Sequence, residues 1–359
     1  MEKIITNSVN GYPEVRNIFS RYPNYAYKKD LFNYGLKLTH RITGKGYHPF
    51  WKGLFYYPKD QVTPCVFFNT INLGKNVWCV YFETTLPRLG GVGRFFYNMS
   101  IKQLTKENCK EIIAISQCAY NMQITYLKDK YPQYLDIIQA KMKVQLPPQE
   151  PLINSYSEKK LPDSKIVFTL IGADFFRKGG REILQVFDML IPQHPQLQLN
   201  IVSSMKYEDY ATHATKQDLD SAKYIINKYP NNILHYNSLP NAKVLELLKN
   251  THIGLLPTWA DSFGYSVLES QAAGCPVITT DIRALPEINN NNIGWLIQVE
   301  KKIDKNALID TKNQRFMFSN HLKLELKRII TSEILNTPNN IKIKGEKALF
   351  NIKKMIDEK

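Results

Sequence analysis

Short apolar runs alternate with segments of helical spacing along most of the chain. The runs are rich in Val, Ile, Leu and Phe, a composition typical of buried parallel strands. The runs that we interpret as strands are 3–7, 65–70, 77–83, 111–116, 165–171, 197–203, 232–236 and 276–280. This alternation predicts an α/β protein with parallel sheets. At 359 residues, the chain is long enough for two or three domains, each with its own core.

Residues 255–287 combine these signals in the order strand, loop, helix, strand. An apolar run ends at Pro257, a polar turn containing Gly264 follows, and a helix is predicted over 265–273. The run 276–280 completes a βαβ unit, whose loop lies at the carboxyl end of a parallel strand, where open α/β sheets bind ligands. The free N–H groups at the helix start favour an anion there, such as a nucleotide diphosphate.

Two carboxylates bracket this loop. Asp261 precedes the predicted helix, and Glu269 lies on its first or second turn, eight positions later. A carboxylate near a helix start can accept hydrogen bonds from a pair of sugar hydroxyls, and Asp261 would lie nearer the other end of such a ligand. Two simpler interpretations remain open: Ser266 and Glu269 have capping-box spacing, and Asp261 with Ser262 could be turn residues.

A second strand, loop and helix precede this unit. The strand 165–171 leads into a loop with several glycines and two adjacent cations, Arg177 and Lys178, and a helix of about a dozen residues is predicted from Arg181. Such a loop can hold a diphosphate with backbone N–H groups and charge-assisted side-chain bonds. A solvated basic loop is the alternative interpretation.

These residues resemble the signature of family 4 glycosyltransferases, an acidic residue, seven residues and then Glu. Asp261 and Glu269 have that spacing, and the flanking segments 263–264, 272–277 and 285–287 also match. The first acid is usually Glu, so that Asp261 is one methylene shorter.

The loop after the strand 165–171 is similar to the Gly-Arg…Lys-Gly element of the same family. Gly172, Lys178 and Gly179 fall on the pattern. The usual Arg position is Ala173, and Arg177 is a candidate source of the missing charge.

The resemblance implies the GT-B fold: two Rossmann-like α/β domains facing each other across a cleft, with C-terminal helices packing back on the N-terminal domain. The segment near residues 147–163 is polar and rich in Pro, which favours a boundary there. We therefore expect an acceptor domain over 1–160, a nucleotide-sugar-binding domain over 161–318, and C-terminal helices over 319–359, the last crossing back to the N-terminal domain.

The resemblance also implies a retaining glycosyltransferase that needs no metal or other cofactor, the nucleotide-sugar being a substrate. Lys178 and Arg177 would stabilise the leaving diphosphate, Asp261 would bind or orient the donor sugar, and Glu269 would hold the ribose hydroxyls. The other residues expected to bind the donor are Gly172, Gly179, Phe263, Gly264, Tyr265 and Ser266.

The expected reaction moves a hexosyl residue from a UDP-sugar, which is favoured over a GDP-sugar. The expected acceptor is a cell-surface polysaccharide, a lipopolysaccharide or a lipid-linked oligosaccharide. In the N-terminal half, the loop after the strand 77–83 should face the cleft by the same rule. Glu83, Thr84 and Arg88 are therefore candidate acceptor-binding residues, although Glu83 and Arg88 could equally pair locally.

Positively charged residues are distributed unequally along the chain. The formal net charge is +15, and residues 1–150 carry 20 Lys and Arg against 10 Asp and Glu. This basic half indicates an anionic partner such as a membrane surface, although solvated lysines would give the same count. The chain has no long apolar run, no secretory signal and no paired cysteine spacing. We expect a cytoplasmic protein, with peripheral association at the inner face of the membrane as an option.

Three other classes of function remain as alternatives. A sugar-nucleotide epimerase of the GT-B fold lacks visible support, because its usual catalytic carboxylates and His are not apparent. The charge would suit a nucleic-acid-binding protein, but no nucleic-acid module is recognisable and no nucleic acid is expected as a partner. The departures at Asp261 and Ala173 would suit a catalytically degenerate GT-B scaffold subunit.

Overall fold

The chain forms two compact units, Met1–Pro148 and Gln149–Lys359. The structure is a computed structural model that describes residues 4–6, 18–19, 22, 24–44, 49–159, 161–162 and 164–357. Each unit contains a six-stranded parallel sheet with helices, so the predicted pair of Rossmann-like α/β domains is confirmed. Part of the predicted strand 3–7 lies outside the described residues.

The first unit is built on a sheet with the strand order β2-β1-β4-β6-β7-β8, beside a short pair of strands, β3 and β5. Its strands are β1 Ile4–Thr6, β2 Tyr25–Tyr27, β3 Leu54–Phe55, β4 Cys65–Phe68, β5 Ile71–Asn72, β6 Trp78–Phe82, β7 Cys109–Ala114 and β8 Met142–Val144. Its helices are α1 Leu31–Thr43, α2 Pro49–Gly53, α3 Arg94–Thr105, α4 Gln117–Lys130 and α5 Leu135–Gln139. The apolar runs of the sequence form its core, where Phe67, Trp78 and Phe82 are fully buried.

The second unit has the strand order β11-β10-β9-β12-β13-β14. Its strands are β9 Ile166–Ile171, β10 Leu197–Val202, β11 Ile233–Tyr236, β12 Ile253–Leu256, β13 Val277–Thr280 and β14 Trp295–Ile297. Its helices are α6 Gly180–Leu190, α7 Lys216–Lys228, α8 Asn241–Lys249, α9 Tyr265–Ala272, α10 Leu285–Ile288, α11 Lys312–Arg328 and α12 Asn339–Asp357, with a π-helical segment Ile329–Leu335 between the last two.

The strand order of the second unit positions two loops side by side. After β9 the chain builds outward through β10 and β11, and it then returns to place β12 against the other side of β9. The direction of strand addition therefore reverses between β9 and β12. At such a switch point the loops at the carboxyl ends diverge and leave a crevice for a ligand.

The two units divide earlier than the boundary near residue 160 that the sequence predicts. The segment after Pro148 belongs to the second unit, to which it is joined by hydrogen bonds. The Leu152 N–H donates to the Ala272 carbonyl at 2.8 Å, and Lys159 Nζ donates to the Ala273 carbonyl at 2.7 Å. The rigid Pro-rich stretch near 147–151 thus ends the first unit instead of starting a longer linker.

The last helix, α12, packs closely within the second unit. A Cβ on Gly345 would lie 2.4 Å from the Gly274 carbonyl oxygen, so only glycine fits at this crossing. Lys353 Nζ also donates to the Asn154 carbonyl at 2.6 Å. These contacts fix α12 beside α9, and the expected crossing onto the N-terminal domain stays a prediction.

Candidate active site

Hydrogen bonds of Arg177 join the loops after β9 and β12. Its guanidinium pairs with Asp174 and donates to the Ala260 carbonyl at 2.7 Å. Its own carbonyl accepts from the Trp259 N–H and from Thr258 Oγ1, both at 2.9 Å. The charge of Arg177 is therefore matched within the loop, and the residue positions the two loops against each other.

Lys178 and Asp261 form a largely buried ion pair between the same two loops. The side chains are 14% and 11% exposed, so Lys178 is not a solvated cation. Burial alone would raise the pKa of Asp261, but the ammonium of Lys178 and the guanidinium of Arg177 outweigh burial and lower it below the ordinary value. The site therefore holds a carboxylate and an ammonium in contact, 83 residues apart in sequence.

This pair makes the stability of the second unit dependent on pH. Because the folded pKa of Asp261 lies below its ordinary value of 3.8, the unfolded chain takes up the proton first as the pH falls. The stabilisation is complete above about pH 4 and is lost as the pH falls through the folded pKa. We expect the difference in unfolding free energy between the wild type and Asp261→Asn, from urea titrations, to shrink in this range. A difference independent of pH would contradict the assignment.

Two glycines of the β9 loop allow the close approach of its neighbours. Gly179 has a φ of 83°, and a Cβ there would lie 2.3 Å from the Pro257 carbonyl oxygen. A Cβ on Gly172 would lie 3.1 Å from Lys178 Cγ. The glycines thus let the β12 loop and the Lys178 stem lie against the β9 loop, and their role in donor binding stays a prediction.

Replacing Gly179 with Ala is expected to destabilise the second unit by about 2–4 kcal/mol, since the left-handed backbone and the contact with Pro257 both oppose a side chain. Urea unfolding would measure the loss. Gly91→Ala is the matched control: its φ is 72°, and a Cβ there meets nothing within 4 Å. The control should show the backbone cost alone, and equal losses in both variants would contradict the role of the Pro257 contact.

The helix α9 begins immediately after the β12 loop and offers uncapped N–H groups to the crevice. Its N-cap is Gly264, at a φ of 94°, with no side-chain hydrogen bond. Since the helix starts at Tyr265, Ser266 is not the cap and the capping-box interpretation of Ser266 and Glu269 is excluded. Glu269 is 5% exposed and accepts a hydrogen bond from Asn241 Nδ2 at 3.4 Å.

The other predicted donor-binding residues differ in exposure. The Phe263 side chain is buried in the core and packs against the Tyr265 ring with 5.1 Å between centroids. Tyr265 and Ser266 are half-buried at the start of α9. The Phe263 ring therefore anchors the loop, and the backbone N–H groups are the part of this segment that can meet a ligand.

A buried carboxylate supports the two loops from behind. Glu182, fully buried on α6, accepts hydrogen bonds from Trp259 Nε1 at 3.2 Å and from Ser319 Oγ at 2.6 Å, and it pairs with Arg181 at 3.0 Å. The Arg181 guanidinium also lies 5.6 Å from the Trp259 ring centroid. This network joins α6 and α11 to the β12 loop, at a point two residues before Asp261.

Arg283, which the sequence does not single out, is a further cation at the same edge of the sheet. It follows β13, is 8% exposed, and has a φ of 51°, a region that favours glycine. Its Nε makes no hydrogen bond, and its guanidinium has no ion pair with any described residue. A buried cation is costly without a counter-charge, so Arg283 is a candidate contact for an anionic group.

The acceptor candidates of the first unit adopt the local pairing. Arg88 binds Glu83 at 2.6 Å, and Asn69 Nδ2 donates to Glu83 at 3.3 Å. The buried Gln123 holds the same loop by accepting from the Leu86 N–H at 2.6 Å. The pairing of Glu83 with Arg88 is confirmed, whereas a role of these residues and Thr84 in acceptor binding stays a prediction.

Two features are absent from the residues that the structure describes. None of their His, Cys, Asp and Glu side chains form a group of three or more that could hold a metal ion. None of their helices combines the length and the apolar character that a membrane span requires. The metal-free mechanism and the cellular location stay predictions.

Comparisons with known proteins agree with this architecture. Three solved structures share the fold over nearly the whole chain. Sucrose-phosphate synthase from Thermosynechococcus elongatus is 14% identical, with 99% of this chain and 95% of that one covered and a TM-score of 0.56. A glycosyltransferase from Rickettsia africae is 15% identical (98% of this chain and 85% of that one covered, TM-score 0.55), and HepE from Anabaena, solved in complex with UDP and glucose, is 10% identical (99% and 95% covered, TM-score 0.55). These likenesses confirm the predicted GT-B fold.

The second unit carries the family signal. Residues 154–312 match the family model of glycosyl transferases group 1. The chain is also 24% identical over 193 residues to CapM of Staphylococcus aureus, a capsular polysaccharide biosynthesis glycosyltransferase. That alignment covers 51% of this chain and 47% of CapM, so the chain matches about half the length of this relative.

Proposed function

We propose that the protein is a retaining glycosyltransferase that transfers a hexosyl residue from a nucleotide-sugar to a glycan acceptor. The observation that carries this proposal is the largely buried Lys178–Asp261 pair, formed between the two central loops of the segment that matches the glycosyl transferases group 1 model. A buried pair at the switch point of a parallel sheet, beside an uncapped helix start, suits a ligand that carries both a diphosphate and a sugar.

Each residue has a distinct role in the proposed reaction. Negative charge grows on the diphosphate as the sugar leaves, and Lys178 is the cation placed to stabilise that charge. The N–H groups of α9 add donors of fixed orientation. Asp261, kept ionised by Lys178, accepts hydrogen bonds from the donor sugar, and Glu269 accepts them from the ribose. Arg177 acts through the loop geometry, since Asp174 already matches its charge.

Retention of configuration and independence from metal rest on the resemblance of the motif to family 4 enzymes. Lys178 and the N–H groups at the start of α9 would supply the positive charge that a metal would otherwise bring to the diphosphate. Product analysis by nuclear magnetic resonance of the new anomeric bond tests retention, and activity in excess chelator tests metal independence.

The donor and the acceptor are inferred by analogy. HepE was solved with UDP and glucose, and CapM acts in capsular polysaccharide biosynthesis, which supports a UDP-hexose donor and a cell-surface polysaccharide, lipopolysaccharide or lipid-linked oligosaccharide acceptor. A thermal-shift panel with UDP, GDP, ADP and their sugars would test the donor. A ligand at about 100 times its Kd raises the free energy of unfolding by about 2.7 kcal/mol. This increase corresponds to a rise of about 5–10 °C in the unfolding temperature of a domain of this size.

Assays of sugar transfer and of oligonucleotide binding, run beside this panel, distinguish the alternatives. UDP binding without hydrolysis or transfer of the UDP-sugar, with any acceptor, would support a degenerate scaffold subunit. Salt-sensitive binding of random oligonucleotides without any nucleotide binding would support a nucleic-acid-binding protein. Stabilisation by UDP, together with transfer of sugar to an acceptor, is the result that the proposal expects.

A further inference from the structure

The helix α1 of the first unit presents an exposed apolar stripe. Leu31, Tyr34, Leu38 and Ile42 follow one another at helical spacing, and they are 53%, 58%, 60% and 75% exposed. Another face of α1 packs against the first unit. There the Phe32 ring lies about 6 Å from the rings of Phe50 and Trp51. The helix therefore has two apolar faces, and only one is covered.

Exposed cations border the uncovered face. Lys37 and Arg41 lie on α1 beside the stripe, and Lys29 lies just before the helix. None of the three pairs with an acidic group of the described residues. The one acid of the segment, Asp30, is buried, where it caps α1 at the Asn33 N–H and accepts from the Tyr56 N–H. The surface therefore combines apolar side chains with unmatched positive charge.

A cavity of about 400 Å³ opens at the first turn of α1. Its walls include Leu31 and Tyr34 of the stripe, and Lys29 and Lys59 also line it. Both lysines are exposed. Asp30 also lines the cavity, but its carboxylate accepts from the Asn33 and Tyr56 N–H groups. Two exposed lysines beside an apolar stripe suit the phosphate of a lipid headgroup, with its acyl chains against the stripe.

We propose that the stripe of α1, with Lys29, Lys37 and Arg41, docks the protein on a bilayer that contains anionic lipid. An amphipathic helix with cations beside its apolar face lies in the interface, where apolar burial and attraction to anionic headgroups add. A second copy of this chain is a poorer occupant, because a twofold contact along the stripe would bring like charges of Lys37 and Arg41 together.

Vesicle flotation of the full chain tests this surface, with phosphatidylcholine vesicles that contain either no anionic lipid or about one-third phosphatidylglycerol. Lys37→Gln with Arg41→Gln should lower the partition coefficient on the anionic vesicles about 25-fold, from about 5-fold for each cation. Leu38→Ser with Ile42→Ser should lower it at least about 10-fold, since two apolar side chains no longer insert. Both pairs are exposed, and thermal unfolding checks that they fold.

The matched control is Lys223→Gln with Tyr224→Ser on α7, which removes one exposed cation and one exposed aromatic side chain from the other unit. Its binding should equal that of the wild type. Equal loss in the control, unchanged binding of the α1 variants, or absence of wild-type binding would overturn the proposal. A dimer that only the stripe variant dissociates, with vesicle binding intact, would assign the stripe to a second copy. No nucleotide is present, so failure here is separate from failure of donor binding.

Discussion

Replacing Lys178 with Met is expected to lower the rate of glycosyl transfer by about 100- to 1,000-fold, the effect of removing a preorganised group that stabilises charge in the transition state. Met keeps most of the length of the apolar stem and removes the ammonium, with both its charge and its hydrogen-bond donors. The steady-state kcat with a saturating UDP-sugar would measure the effect. Lys178 is well placed for this role because its ammonium is held by Asp261 and its stem lies against Gly172.

The same substitution leaves Asp261 as a buried charge that has lost its closest partner. The expected cost to folding is about 3 kcal/mol, because the penalty of burying the carboxylate is no longer matched by Lys178. The double variant Lys178→Met with Asp261→Asn should recover most of this stability and none of the activity. If it recovered activity, the role of Lys178 would be structural.

A surface ion pair provides the control for Lys178. Lys228 binds Asp188 at 2.8 Å, but its side chain is 44% exposed. Lys228→Met should change stability by about 1 kcal/mol or less and leave kcat unchanged. A loss of activity in this control would show that the assay responds to stability or to charge in general.

Replacing Glu269 with Gln is expected to weaken nucleotide binding by about 10- to 150-fold, or about 1.5–3 kcal/mol, the usual value of hydrogen bonds to a charged group. Gln has the same shape and keeps one acceptor oxygen, so the loss reports the charge that faces the ribose hydroxyls. Titration calorimetry with UDP would measure the change. The stabilisation of the variant by UDP in a thermal shift should fall in parallel.

The fold of this variant needs a separate check, because Glu269 is buried. Its unfolding temperature without ligand should remain near that of the wild type. Glu246→Gln on α8, an exposed acid paired with Lys249 at 3.6 Å, is the matched control and should bind UDP normally. Unchanged UDP affinity in a folded Glu269→Gln protein would remove Glu269 from the site.

Local signals predict several elements closely. The strand predicted over 111–116 is followed by α4, which begins at Gln117 because the Ser116 hydroxyl caps it at the Ala119 N–H at 3.0 Å. The unit 255–287 also has the predicted order of strand, loop, helix and strand. In both cases the signal is short-range: a cap, a glycine, or an apolar run of strand length.

Other features depend on which surfaces the fold covers. The helix α1 is not among the elements predicted from the sequence, although Asp30 caps it at the Asn33 N–H. The contact division at Pro148 falls before the predicted boundary near 160, since Lys159, in a polar stretch typical of a linker, is hydrogen-bonded to the second unit. Hydrogen bonds made between distant segments leave no local pattern.

The sequence by itself determined the class of fold, the two loops that bear the motif residues, and the types of side chain available for chemistry, since these follow from periodicity and spacing along the chain. Only the tertiary structure decided that Lys178 pairs with Asp261, that Glu83 pairs with Arg88, that Gly264 rather than Ser266 starts α9, and that a stripe of α1 stays uncovered. The physical reason is that ion pairs and burial depend on the distance between side chains in space, which sheet order sets across separations of many residues.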